Sequence, residues 1–271
     1  MPAIQPVKLK SQVMQLAERF TQPAAFVRGL TELLDQYADH THRSGLSGEP
    51  APLVTTFNTP TPVMRQVGVM IKPLAGLDPP LTLELCDQLW AQPYLEHRLL
   101  AADLLGLLPL EYKSQVIARV ENWTRIGTDE RLIDAVLLHG LAYLRSHAPY
   151  EFTDLVQNWL SNPDTMIRQL GLRYLQSLAA DPQFTNLPMI FRLLAPFLRV
   201  APAALRPDIL NILSLLIHRT PREAAYLLQQ NLTTPDSVDT AWLVRQVIAE
   251  FPYELQANLR EASRASRPPS A

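Results

Sequence analysis

The chain has 271 residues, 47% of them hydrophobic, enough for a continuous core, and its Leu- and Ala-rich composition with only nine glycines favours helix. A formal net charge of −2 gives no global basic signal for nucleic acid. Cys86 is the only cysteine, which excludes an internal disulfide and a cysteine-held metal cluster and fits a reducing cytoplasm. Apolar residues at three and four spacing predict a first helical pair, Leu9–Phe20 and Pro23–Ala38. Residues 39–62 hold Gly45, Gly48 and prolines at 50, 52, 60 and 62, and predict a long loop. Helix resumes over Val63–Leu77 and Leu81–Ala91. Later starts are marked by Pro93, Pro109, Thr128, Pro149, Pro163, Pro188, Pro202, Pro221 and Pro235, because proline's missing donor would be unpaired in a first turn anyway. Ser161-Asn-Pro-Asp164 and Thr234-Pro-Asp236 add capping side chains. Leu53–Phe57 is the best strand candidate, short and isolated, and residues 262–271 read as a disordered tail. The first ten residues lack the apolar core of a signal peptide, and no uncharged apolar run reaches the roughly 18 residues of a membrane span, so a soluble cytoplasmic protein is expected.

One helical phrase recurs. Arg65, Arg98, Arg131, Arg168, Arg206 and Arg245 stand near helix starts at spacings of 33, 33, 37, 38 and 39 residues. Such a period predicts stacked helical hairpins. The expected fold is all-α, a right-handed α-solenoid of HEAT-like repeats with 13 or 14 helices, forming one domain over residues 1–261 with the 39–62 loop inside it. Three residues after each arginine stand Gly68, Ala101, Asp134, Gly171, Ile209 and Ile248. Five are small or apolar, as close packing requires. Asp134 is the exception and the first functional candidate, against the alternative of a capping or ion-paired acid bound to Arg131 or Arg168.

Charge is unevenly spread. Residues 165–222 carry seven arginines against two acids, a net +5, which leaves −7 on the rest of the chain. Arginine's planar fork suits phosphate, so Arg168, Arg173 and Arg206 are candidate contacts. A recurring arginine is as readily architectural, and a repeat-to-repeat salt bridge is the alternative for each. Trp90, Trp123, Trp159 and Trp242 are spread along the array. Trp159, at a helix end, could stack on a sugar or base, although a tryptophan at an inter-helix seam is commoner. Asp39, His40 and His42 alternate like a metal site but lack a third and fourth protein ligand nearby, and no metal or cofactor is expected. The phosphate-loop, Gly-x-Ser-x-Gly and His-Glu-x-x-His motifs are absent. Gly140 reads as a mid-helix glycine marking close helix contact.

Several phrases together resemble the HEAT-like DNA alkylation-repair family of alkylpurine DNA glycosylases. They are Val63-Met-Arg65 opening a helix after a loop; Leu89-Trp90-Ala-Gln-Pro-Tyr94-Leu-Glu96-His-Arg98-Leu-Leu-Ala101; and Asn122-Trp123, then Asp134, Trp159 and Arg168. The resemblance covers about residues 60–250. It implies duplex DNA held in a concave groove and hydrolysis of the N-glycosidic bond of cationic alkylated purines. It implies that Asp134 is the carboxylate that stabilises an oxocarbenium-like sugar and orients water, and that Arg168 contacts the backbone. Two of the family's groove tryptophans are replaced here, by Glu130 and Asn211. The expectation is therefore DNA binding with weak, altered or lost base excision. The alternative is a non-enzymatic scaffold for a protein partner. The chain is expected to act as a monomer.

Overall fold

The computed structural model describes residues 5–39, 54–125, 129–235 and 237–265. Among them the protein is all-helical, with no strand beyond one isolated parallel bridge between Thr55 and Tyr94. Residues 40–53, which hold His40, His42 and the start of the strand candidate, lie outside the described residues. The chain falls into two compact units, residues 1–149 and 150–271.

The first unit contains α1 (Pro6–Glu18), α2 (Pro23–Tyr37), α3 (Thr61–Ala75), α4 (Pro79–Trp90), α5 (Leu95–Leu105), α6 (Lys113–Trp123), α7 (Glu130–Leu138) and the six-residue α8 (Ala142–His147). Proline opens α1 to α4 within the first two positions; α2 begins at its expected residue, and α1, α3 and α4 begin two or three residues before theirs. Asp78 accepts a hydrogen bond from Leu81 N at 3.0 Å, and Asp129 one from Arg131 N at 3.0 Å, so α4 and α7 start on capping carboxylates. Helices pack on the next but one: α1 on α3, α3 on α5, α5 on α7, and α2 on α4. α5 lies deepest, with Leu95, Leu100, Ala101, Ala102, Leu104 and Leu105 all buried.

Two polar groups of α5 are buried with it. Glu96, 5% exposed, accepts from Thr56 Oγ1 at 2.8 Å, Phe57 N at 3.2 Å and Thr59 N at 3.4 Å, which ties residues 56–59 onto the helix. His97 is fully buried, with Nε2 2.9 Å from Thr31 Oγ1. That hydroxyl already donates to Val27 O at 2.9 Å, so Nε2 carries the proton and Nδ1 is an unpartnered lone pair. α5 and α7 meet most closely at their ends. A Cβ on Gly106 would sit 1.7 Å from His139 O, so only glycine fits. Gly140 follows the C-cap of α7 rather than lying mid-helix, and a Cβ there would meet Val136 O at 2.5 Å and Leu105 Cδ2 at 3.5 Å.

The second unit contains α9 (Pro149–Leu160, from its second residue), α10 (Thr165–Ala180), α11 (Leu187–Arg199), α12 (Arg206–Arg219), α13 (Pro221–Leu232), α14 (Thr240–Val247) and α15 (Tyr253–Ala265). Asp164 caps α10 through Met166 N at 2.9 Å. The same next-but-one packing holds, α10 on α12, α12 on α14, α11 on α13 and α13 on α15. Among the described residues fifteen helices form, close to the 13 or 14 expected, and the six-residue α8 is the shortest of them. α15 continues to Ala265, four residues into the expected tail. Among the described residues no helix is long and apolar enough to cross a membrane.

Candidate functional site

Asp134 lies on α7 between buried Ile133 and Ala135, yet is itself exposed. At the equivalent point of the phrase Gly68, Ala101, Gly171 and Ile209 are buried. The acid therefore marks the one repeat from α3 to α12 in which this register turns to solvent. Glu130 is also exposed, four residues earlier and on the same helix face. Arg131 directs its guanidinium to Asp129, with Nε 3.2 Å from Oδ1 and Nη2 3.3 Å from Oδ2.

The recurring arginines separate by what their Nε meets. Arg98 donates Nε–H to Trp90 O at 3.1 Å and Gln92 O at 2.9 Å, and its guanidinium lies 5.5 Å from the centre of the Trp90 ring. Arg206 donates Nε–H to Ala201 O at 3.0 Å, pairs with Asp239 at 3.1 Å and lies 4.6 Å from the Trp242 ring. Both clamp the loop entering their own helix and rest on a tryptophan, which is architecture. Arg206 was a candidate DNA contact, and its charge is already matched by Asp239.

Arg168 differs. It sits in the first turn of α10, half-buried, with Nη2 donating to Thr165 Oγ1 at 3.1 Å. Its Nε is buried with no acceptor among the described residues. A buried donor left unpaired costs about 1–3 kcal/mol, and an anion is the natural group to remove that cost. Arg173, one and a half turns on, is half-buried and acts on Asp208. Burial pushes the Asp208 carboxyl above its usual range, opposed by the hydrogen bond from Gln169 at 3.1 Å and by the charge of Arg173.

Two further arginines of the basic stretch are structural. Arg199 donates to Asn231 Oδ1 at 3.0 Å, and Arg219 donates to the carbonyls of Ala179, Asp181 and Phe184 at 2.8–2.9 Å. Trp159 is 3% exposed with its ring edge-on to Tyr174, so it presents no face for a base or sugar. It is a core side chain. Trp90 and Trp123 stack on each other at 4.4 Å.

Sequence reasoning missed a polar chain in the first unit. Lys72 Nζ lies 2.9 Å from Asp103 Oδ2, and His139 Nδ1 lies 2.5 Å from Asp103 Oδ1. Burial would raise the Asp103 carboxyl, but hydrogen bonds from His139 and Lys72 outweigh it and hold the group below its ordinary value. These residues are 31 and 36 apart, close to one repeat, and that spacing was the available signal. Among the described residues no cluster of three or more His, Cys, Asp or Glu could hold a metal ion.

The profile of the DNA alkylation repair enzyme family matches residues 33–201. This chain belongs to that family. The matched span includes Asp134, Trp159, Arg168 and Arg173 and stops before Arg206 and Asn211. No curated protein and no solved structure matches the chain.

Proposed function

We propose that this member of the DNA alkylation repair family binds duplex DNA through HEAT-like helical repeats, with base excision that is weak or altered. The observation that carries the reading is Arg168, whose buried Nε lacks the carbonyl or carboxylate that satisfies Arg98, Arg131 and Arg206. A backbone phosphate meets the guanidinium once the side chain turns outward and exposes Nε. Exposed Asp134 supplies the carboxylate. In the reaction the C1′–N bond breaks and its electron pair leaves with the purine, cancelling the purine's positive charge. The sugar becomes oxocarbenium-like. Asp134 stabilises that cation and accepts a proton from the water that attacks C1′. The groove tryptophans that the resemblance implies are replaced by Glu130 and Asn211, and Glu130 adds negative charge where a phosphate would lie, which weakens DNA binding.

The test is release of free base from a duplex carrying N7-methylguanine. Asp134→Asn should lower release at least tenfold while duplex affinity is kept or improved. Release unchanged by that substitution would remove Asp134 from the mechanism.

A second reading is a scaffold for a protein partner. It is favoured by the pairing of Arg199, Arg206 and Arg219 within the fold, which leaves less of the basic stretch for phosphate.

A further inference from the structure

The first unit holds a groove of about 600 Å³ between α3 and α5, lined also by His139 after α7. Its volume lies in the range of small-molecule sites. Met64, Val69 and Leu99 give it apolar walls, and Val69 is 61% exposed. Its polar lining is Thr61, Arg65, Lys72, Asp103 and His139. Asp103 is the only acid that lines it, and three basic side chains do: Arg65, Lys72 and His139. Asp103 already binds Lys72 and His139. Arg65 is exposed and makes no ion pair or side-chain hydrogen bond among the described residues. His139 is 56% exposed, and with Nδ1 on Asp103 its Nε2 remains for a ligand. Asp103 thus holds Lys72 and His139 in place, and the charge of Arg65 is left unmatched.

Gly68 is the second observation. It lies inside α3, where glycine costs about 1 kcal/mol relative to alanine. No packing demands it, since a Cβ would meet only Lys72 Cε at an ordinary 3.5 Å. This contrasts with Gly106, whose absent Cβ is forced by the His139 backbone. Gly68 lines the groove, and the space it leaves is open to a ligand.

We infer that this groove is a nucleotide site, taking a base against Met64, Val69 and Leu99 and its phosphate on Arg65, with Lys72 and His139 as further donors. The flat apolar face of a base fits the walls, and the phosphate answers the unpaired guanidinium. The inference rests on the DNA reading only in choosing a nucleotide over other phosphate esters. The nucleotide can belong to a DNA strand or be free, and the binding chemistry is the same.

The experiment titrates deoxyadenosine monophosphate into the full chain and follows the His139 ring resonances by NMR, with deoxyadenosine and inorganic phosphate as comparators. Saturable shifts are expected, with the nucleotide bound at least tenfold tighter than either comparator. Arg65→Ala should weaken binding at least tenfold, and Gly68→Leu, which fills the groove while favouring helix, should abolish it. No saturable shift, equal affinity for inorganic phosphate, or binding indifferent to both substitutions would overturn the inference. Duplex binding by the same proteins separates the sources. Nucleotide binding without duplex binding keeps the groove and removes the DNA reading. Duplex binding with no nucleotide binding, unaffected by either variant, does the reverse.

Discussion

His97 makes the first unit sensitive to acid by an amount that follows from its surroundings. It is fully buried on α5, its Nδ1 lacks a donor, and Phe57 and Tyr94 lie 6.1 and 5.5 Å away, ring centre to ring centre. Burial pushes its pKa down to about 4 from an ordinary 6.5, against the opposing pull of neighbouring Glu96. The unfolded chain therefore binds the proton more readily than the folded one between these values. The neutral ring's contribution is fully present above pH 6.5 and is lost as pH falls toward 4. At pH 5 the loss is about 2 kcal/mol relative to neutral pH. His97→Gln keeps an amide donor for Thr31 and cannot titrate. Urea unfolding of both proteins at pH 7.5 and pH 5 isolates the difference, because other acids contribute equally to each. The natural protein should lose about 2 kcal/mol more than the variant over that interval. Equal losses would refute the argument and place the imidazolium in a solvated or paired site.

Gly106→Ala must move the backbone at His139, and an overpacked contact of this kind costs about 2–3 kcal/mol, visible as a Tm lowered by about 6 °C. Removing Glu96 leaves three donors of residues 56–59 unanswered, so Glu96→Ala should destabilise by about 3 kcal/mol and raise amide exchange at Phe57 and Thr59. Arg206→Ala should lower Tm with little effect on DNA, since its partners are Asp239, Ala201 and Trp242. Arg168→Ala should do the opposite, holding stability within about 1 kcal/mol and reducing both duplex affinity and its salt dependence. A Tm loss for Arg168→Ala as large as that for Arg206→Ala would make both arginines architectural.

The helices were legible because local signals coincide with tertiary need. Pro23, Pro149 and Pro221 open helices where predicted, Asp164 caps α10, and leucine periodicity places the buried faces. The recurring arginine was legible as a pattern, but its roles were not. Arg168 and Arg206 read alike in sequence, and only the acceptors supplied by the preceding loop separate them. Trp159 resembled a groove aromatic because a helix end says nothing of what packs over it, and Tyr174 does so. Glu96 and His97 drew no attention as buried groups, since their burial depends on residues 56–59 and Thr31, distant in the chain. Lys72, Asp103 and His139 meet only through next-but-one helix packing, which the repeat length encodes and single motifs do not.

Fluorescence anisotropy with two labelled duplexes, one intact and one carrying an abasic-site analogue, tests the central claim most directly. Binding should be tighter on the damaged duplex and should weaken as salt rises from low to moderate concentration, because phosphate contacts release counterions. Absence of binding to either duplex at low salt would contradict the DNA reading and favour a protein partner.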